Sequence, residues 1–254
     1  MKIAVLTLLA LLLGASFTAV AADKPAFFEL RIYRAPAGKL PELLTRFRDH
    51  TVKLFAKHGM TNIGYWTPME EKDGSQNTLV YFLGYPSLEA REKSWKDFMA
   101  DPDWQAAHKA SEVNGKLVEK VESIYLKPTE YSMFNFETSA TQLAFELRTY
   151  TTFDGKLDAL HARFKNVTLK MFEKYGMTNI LYTTPTQEKD GAGKKLIYLL
   201  AHKDKAAHDS AFTTFRADAD WVKAKAESEK DGPLTIENGV VSLMLTPTDF
   251  SPLK

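Results

Sequence analysis

The chain is 254 residues long, and its 33 Lys and Arg nearly balance 32 Asp and Glu, for a formal net charge of +1. No basic run is longer than Lys194-Lys195, so the chain offers no electrostatic footprint to nucleic acid or an anionic membrane surface. It has no cysteine, which excludes disulfides, thiolate nucleophiles and cysteine-ligated metals and leaves stability to the core.

The first 22 residues read as a leader. Lys2 supplies a short positive start, Ile3 to Leu13 is almost wholly apolar, and Ala19-Val20-Ala21 is a small-x-small cleavage pattern. The apolar run falls short of the ~20 residues needed to span a bilayer. These features predict a cleaved signal peptide over 1–22, a mature chain starting around Asp23, and a periplasmic or secreted protein without a membrane anchor.

Phe28 to Tyr33 alternates apolar and polar residues, which predicts a strand with Phe28, Leu30 and Ile32 on one face and Glu29, Arg31 and Tyr33 on the other. Leu40, Leu43, Leu44, Phe47, Leu54 and Phe55 follow at helical spacing, and Gly59 is placed to cap that helix. Asn62 to Thr67 and Leu79 to Leu83 read as strands either side of the turn Lys72-Asp73-Gly74-Ser75. A second helical region starts at Ser87 and breaks at Asp101-Pro102-Asp103, and Val121 to Leu126 closes the unit as a strand. Strand, helix, strand, strand, helix, strand is the split βαβ order of ferredoxin-like domains.

The order then repeats over Phe145–Tyr150, Leu157–Tyr175, Asn179–Thr184, Leu196–Leu200, Lys205–Lys230 and Val240–Leu245. At an offset of 117 residues, 27 of the 47 positions from Phe28 to Gly74 are identical to those from Phe145 to Gly191. A period this long is no solenoid repeat. It predicts an α+β chain of two tandem ferredoxin-like (βαββαβ) units, 26–132 and 142–254, joined by a linker over 133–141. Each unit ends in a short aromatic tail, Pro128-Thr129-Glu130-Tyr131-Ser132 and Pro247-Thr248-Asp249-Phe250-Ser251. A lone four-stranded sheet would leave its aromatic and Glu/Arg face in solvent. The two sheets are therefore expected to pack face to face as an intrachain dimeric α/β-barrel, with that face lining the interior.

The runs Glu29 to Tyr33, Gly38 to Leu40, Gly59 to Tyr65 and Asp101 to Trp104, repeated in the second unit, resemble the NIPSNAP family across nearly the whole mature chain. The resemblance implies membership of the dimeric α/β-barrel group, which includes cofactor-independent monooxygenases, haem-binding and haem-degrading proteins and small isomerases. It implies no settled reaction, and the vesicular and mitophagy roles of mitochondrial relatives do not transfer to an exported chain.

Glu29, Arg31 and Tyr33 and their copies Glu146, Arg148 and Tyr150 form the foremost candidate site. A carboxylate, a guanidinium and a phenol on one strand face could bind an anion and hold a proton; equally they could be a structural ion pair. Tyr65, Trp66, Tyr81, Tyr182 and Tyr198 are candidate walls of the same ligand cavity, or core. Trp66 has Thr183 as its counterpart, so the halves need not be equivalent. None of His50, His58, His108, His161, His202 and His208 recurs in the other half or has metal-site spacing, so no metal and no cofactor is expected, with haem the lesser reading. Arg46 and Arg163 read as part of the solvated face of the first helix of each unit. The expected function is small-molecule binding in a barrel cavity. The alternatives are a metal-free monooxygenase- or isomerase-type enzyme using Tyr33 or Glu29, and a structural module. Expected partners are a small molecule and a second copy of the chain, the latter through the aromatic tails.

Overall fold

The computed structural model describes residues 24–137, 139 and 141–254, and the expected signal peptide lies outside the described residues. The first half contains strands β1 (Phe27–Arg34), β2 (Thr61–Pro68), β3 (Thr78–Tyr85) and β4 (Lys120–Pro128). The second contains β5 (Ala144–Thr152), β6 (Thr178–Pro185), β7 (Lys195–His202) and β8 (Thr235–Pro247). All neighbours run antiparallel and close into one barrel in the order β1-β3-β2-β8-β5-β7-β6-β4. The seams between the halves are β2 with β8, through Trp66 to Pro68, and β4 with β6, through Leu126 to Pro128.

Helices pack on the outside of each half. The first contributes α1 (Leu40–Arg46), α2 (Val52–Lys57), α3 (Leu88–Ala100) and α4 (Pro102–Ser111). The second contributes α5 (Leu157–Arg163), α6 (Leu169–Lys174), α7 (Lys205–Ala217) and α8 (Ala219–Ser228). Between α1 and α2 the chain makes a π-helical turn over Phe47–Thr51, repeated over Phe164–Thr168. In both, a threonine hydroxyl (Thr51, Thr168) donates to the carbonyl five residues back. Gly59, at φ +79°, ends the first helical region in the left-handed conformation that only glycine adopts without strain.

One expectation is reversed. The barrel interior holds Phe28, Leu30, Val80, Phe82, Phe145 and Leu147 with other apolar side chains from both halves, whereas Glu29, Arg31 and Tyr33 turn outward to the helices. The reason is physical: an eight-stranded barrel is just wide enough for side chains to fill, and an interior filled by side chains takes the apolar set. Trp66 alone among the candidate aromatics points inward, its ring 5.3 Å from Phe145.

Within the chain, each aromatic tail packs on the other half. Thr129 N–H donates to the Tyr182 carbonyl at 2.9 Å, and Tyr131 packs on the Tyr182 ring. In return Thr248 N–H donates to the Tyr65 carbonyl at 2.9 Å, and Phe250 packs on the Tyr65 ring. Each half thus lays its tail on the first hairpin strand of the other.

Candidate functional site

Alternation along β1 sends Glu29, Arg31 and Tyr33 to the helix-facing side, where the register sets Arg31 opposite Tyr81 on β3 and Ser123 on β4. Glu29 is fully buried and saturated with donors. Arg91 on α3 reaches both its oxygens, at 3.0 and 2.8 Å, and Trp95 Nε1 donates at 2.9 Å. Tyr85, Ser123 and Arg31 add further bonds. Burial alone would raise this carboxyl; the Arg91 hydrogen bonds, the charges of Arg31 and Arg91 and the Ser123 hydroxyl outweigh it and lower it to about 2. Arg31 is held in turn by Tyr81 through Nε at 2.9 Å and by Tyr33 through Nη2 at 3.0 Å, and lies 4.2 Å from the Trp95 ring centre.

Outward of this network is a pocket of about 620 Å³ between β1 and the helices. Arg31, Arg46 and Arg91 face it together with the rings of Phe55, Trp95 and Trp104. Arg46 is buried, pairs with Glu112 at 3.1 Å, and keeps its Nε without a hydrogen-bond partner. The surface reading of Arg46, and of the equally buried Arg163, is therefore corrected. The π-helical turn contributes Phe47 and Thr51 to the same wall. Extra turns of this kind often mark functional sites, because they re-aim side chains without ending the helix.

The second half repeats the pocket at about 550 Å³, between Arg148, Tyr150, Phe212, Phe215 and Trp221. Its carboxylate is surrounded differently. Glu146 keeps Arg148 Nη1 at 2.6 Å and Ser242, but the positions of Tyr85, Arg91 and Trp95 are taken by His202, His208 and Phe212. His202 Nε2 and His208 Nε2 lie 3.4 and 3.2 Å from the Glu146 oxygens. The expectation of no metal-ligand arrangement among the histidines is thus corrected: strand pairing and α7 bring two of them to one carboxylate that linear spacing could not link.

The remaining candidates divide by face. Tyr65, Tyr81, Tyr182 and Tyr198 are buried beneath the helices and belong to the packing behind the pockets. Burial pushes all four phenols well above their usual range. Tyr182 donates to Asn179 Oδ1 at 2.5 Å while Asn179 Nδ2 donates to the Leu169 carbonyl at 3.1 Å, and Asn62 and Tyr65 do the same in the first half. The repeated Gly-Met-Thr-Asn-Ile-x-Tyr run is therefore a clasp between helix and strand. Arg91 and Trp95, absent from the sequence-level candidates, carried no signal because their counterparts differ.

Among the described residues, no helix is long and apolar enough to cross a membrane. The family model described as NIPSNAP matches residues 28–133 and 145–252. An uncharacterized NIPSNAP domain protein from Burkholderia xenovorans is 30% identical over 41% of this chain and 96% of its own, with a TM-score of 0.36. A NIPSNAP family protein from Agrobacterium tumefaciens is 29% identical over 43% of this chain and 98% of its own, with a TM-score of 0.38. A Fusobacterium nucleatum protein with a provisional monooxygenase assignment is 13% identical over 89% of this chain and 93% of its own, with a TM-score of 0.56. That last likeness shows a shared fold. No curated protein matches the chain.

Proposed function

The chain belongs to the NIPSNAP family, and we propose that it is an exported protein whose halves each bind a small, flat, apolar anion between sheet and helices. One observation carries the reading: in the first pocket, guanidinium groups and aromatic rings face the same space of about 620 Å³. Arg31, Arg46, Arg91 and Lys116 line the pocket, and the carboxylates paired with these arginines are Glu29, Glu92 and Glu112, which leaves one excess positive charge in a partly desolvated setting. Rings take the apolar faces of a ligand and guanidinium takes its carboxylate or sulfonate, the usual division of labour in a small-molecule pocket. The shared fold at 13% identity lends no reaction to this chain.

The test is titration of the mature chain with anilinonaphthalene sulfonate and, in parallel, with a cationic dye of similar size. The anionic dye should bind saturably and quench the pocket tryptophans, while the cation should not. Val121→Trp and Val222→Trp, at partly exposed lining positions of the two pockets, should each remove one binding equivalent without lowering the melting temperature. Equal uptake of both dyes, or full stoichiometry in both variants, would reject the reading. The intact mass of the same preparation reads export, which requires a chain starting near Asp23.

A further inference from the structure

We propose that Glu146, His202 and His208 form a binding site for one divalent transition-metal ion of the zinc class, present in the second half alone. The inference stands on this cluster and does not rest on the anion-pocket reading.

The first half shows what this position looks like when it serves packing. There Glu29 is closed off by Arg91, Tyr85 and Trp95, each donating directly to its oxygens. The second half keeps the carboxylate, its arginine and its serine, and replaces those three donors with two histidines and a phenylalanine. The outcome is not a new set of hydrogen bonds. Glu146 Oε2, His202 Nε2 and His208 Nε2 are all buried without a hydrogen-bond partner. Buried polar atoms without hydrogen bonds cost stability, so three of them converging is not a packing solution like that around Glu29.

Their geometry suits an ion. One ligand atom from each residue lies within 4.8 Å of the others; His202 Nε2 stands 3.4 Å from Oε2 and His208 Nε2 stands 3.2 Å from Oε1. Ligands at ~2.0–2.1 Å from one ion stand roughly 3.0–3.4 Å apart at octahedral to tetrahedral angles. Arg148 and Ser242 both donate to Oε1 and orient the carboxylate, whose Oε2 has no hydrogen-bond partner and faces His202. His208 Nδ1 meets Asp209 Oδ1 at 2.8 Å, so its Nδ1–H donates outward and its Nε2 lone pair faces the cluster. A ligating histidine is commonly fixed through its other nitrogen by just such a carboxylate. Asp209 is itself paired with Lys205 at 2.8 Å, so Glu146 and Asp209 balance Arg148 and Lys205 in charge. Two imidazoles with one carboxylate select a borderline ion over calcium or magnesium, and three protein ligands leave at least one position open to water or a ligand. Phe212 packs its ring 4.9 Å from His208 and also lines the second pocket, so the site adjoins that pocket.

The experiment is calorimetric titration of the chelator-stripped, untagged mature chain with Zn(II) near neutral pH, with Co(II) absorption reporting the donor set. One equivalent per chain should bind and raise the melting temperature. His202→Tyr with His208→Arg copies the residues that surround Glu29, so this variant has a template for folding; it should weaken binding more than ~100-fold, beyond what loss of an outer-shell partner causes. Asp209→Asn should weaken it ~10–100-fold. Absence of a stoichiometric site in the wild-type chain, or unchanged affinity in the folded double variant, overturns the proposal.

Discussion

Glu29 is completely shielded from solvent yet holds its proton poorly, because arginines on both its sides favour the charged form by more than burial opposes it. That preference is a stability term. A carboxyl lowered from 4.5 to about 2 on folding stabilises the native state fully above pH 4.5 and loses the contribution as pH falls toward 2. At 1.36 kcal/mol per pH unit this is roughly 3 kcal/mol, in order of magnitude. Glu29→Gln should therefore be clearly less stable than wild type at pH 6, and the gap in urea midpoints should shrink steadily below pH 4.5. A gap that stays constant down to pH 2.5 would mean that the arginines do not act on Glu29 through its charge. Since Arg31 and Arg91 serve this buried pair as well as the pocket, truncating either changes stability and binding together, which is why the pocket is better probed at Val121.

Within β2 and β6, the duplicated strands have exchanged volume between two positions two residues apart. Gly64 and Trp66 in the first stand against Leu181 and Thr183 in the second. The Trp66 ring lies over Gly64, where an added Cβ would meet ring carbons at 2.2 and 2.3 Å. Gly64→Leu alone should cost at least ~1–3 kcal/mol through overpacking, and Trp66→Thr alone ~3–5 kcal/mol through the cavity it opens. Together they copy the second half and should cost at least 1 kcal/mol less than the sum, as read by chemical denaturation in a double-mutant cycle; strict additivity would show that the two sites do not share volume. The same strands set the limit of what the sequence disclosed. Alternation along Phe28–Tyr33, turn signals and the repeat placed the strands and implied a closed barrel, but Phe28 and Leu30 on one side and Glu29 and Arg31 on the other are all buried. A strand covered on both faces carries no period-two signal of which face is inside. The Glu146 cluster was hidden for a related reason: His202 reaches it by diagonal cross-strand placement, since the register pairs Glu146 with Leu200, and His208 reaches it from the next helix.

Over the whole molecule, the two halves are joined by more than the linker. The β2–β8 and β4–β6 seams carry ladder hydrogen bonds, and beside them Met69 N–H donates to the Met244 carbonyl at 2.9 Å and Thr186 N–H to that of Tyr125 at 2.8 Å. Around the same strands the exchanged tails anchor Ser132 Oγ to Tyr182 N–H at 3.0 Å and Ser251 Oγ to Tyr65 N–H at 2.9 Å. The barrel interior is a single apolar cluster drawn from both halves, so separating them would expose the faces of two sheets to water. None of these contacts passes through Ser139. A protease site introduced there and cut after folding should leave two fragments that elute as one native-sized species and part only in denaturant. The linker still matters, because it holds the halves at an effective concentration on the order of millimolar. At micromolar protein its loss should lower stability by about 4 kcal/mol and make the unfolding midpoint depend on concentration, neither of which the uncut chain should show. Fragments that separate in native buffer would mean that the seams and tails are secondary to the covalent join, and that each half completes its core alone.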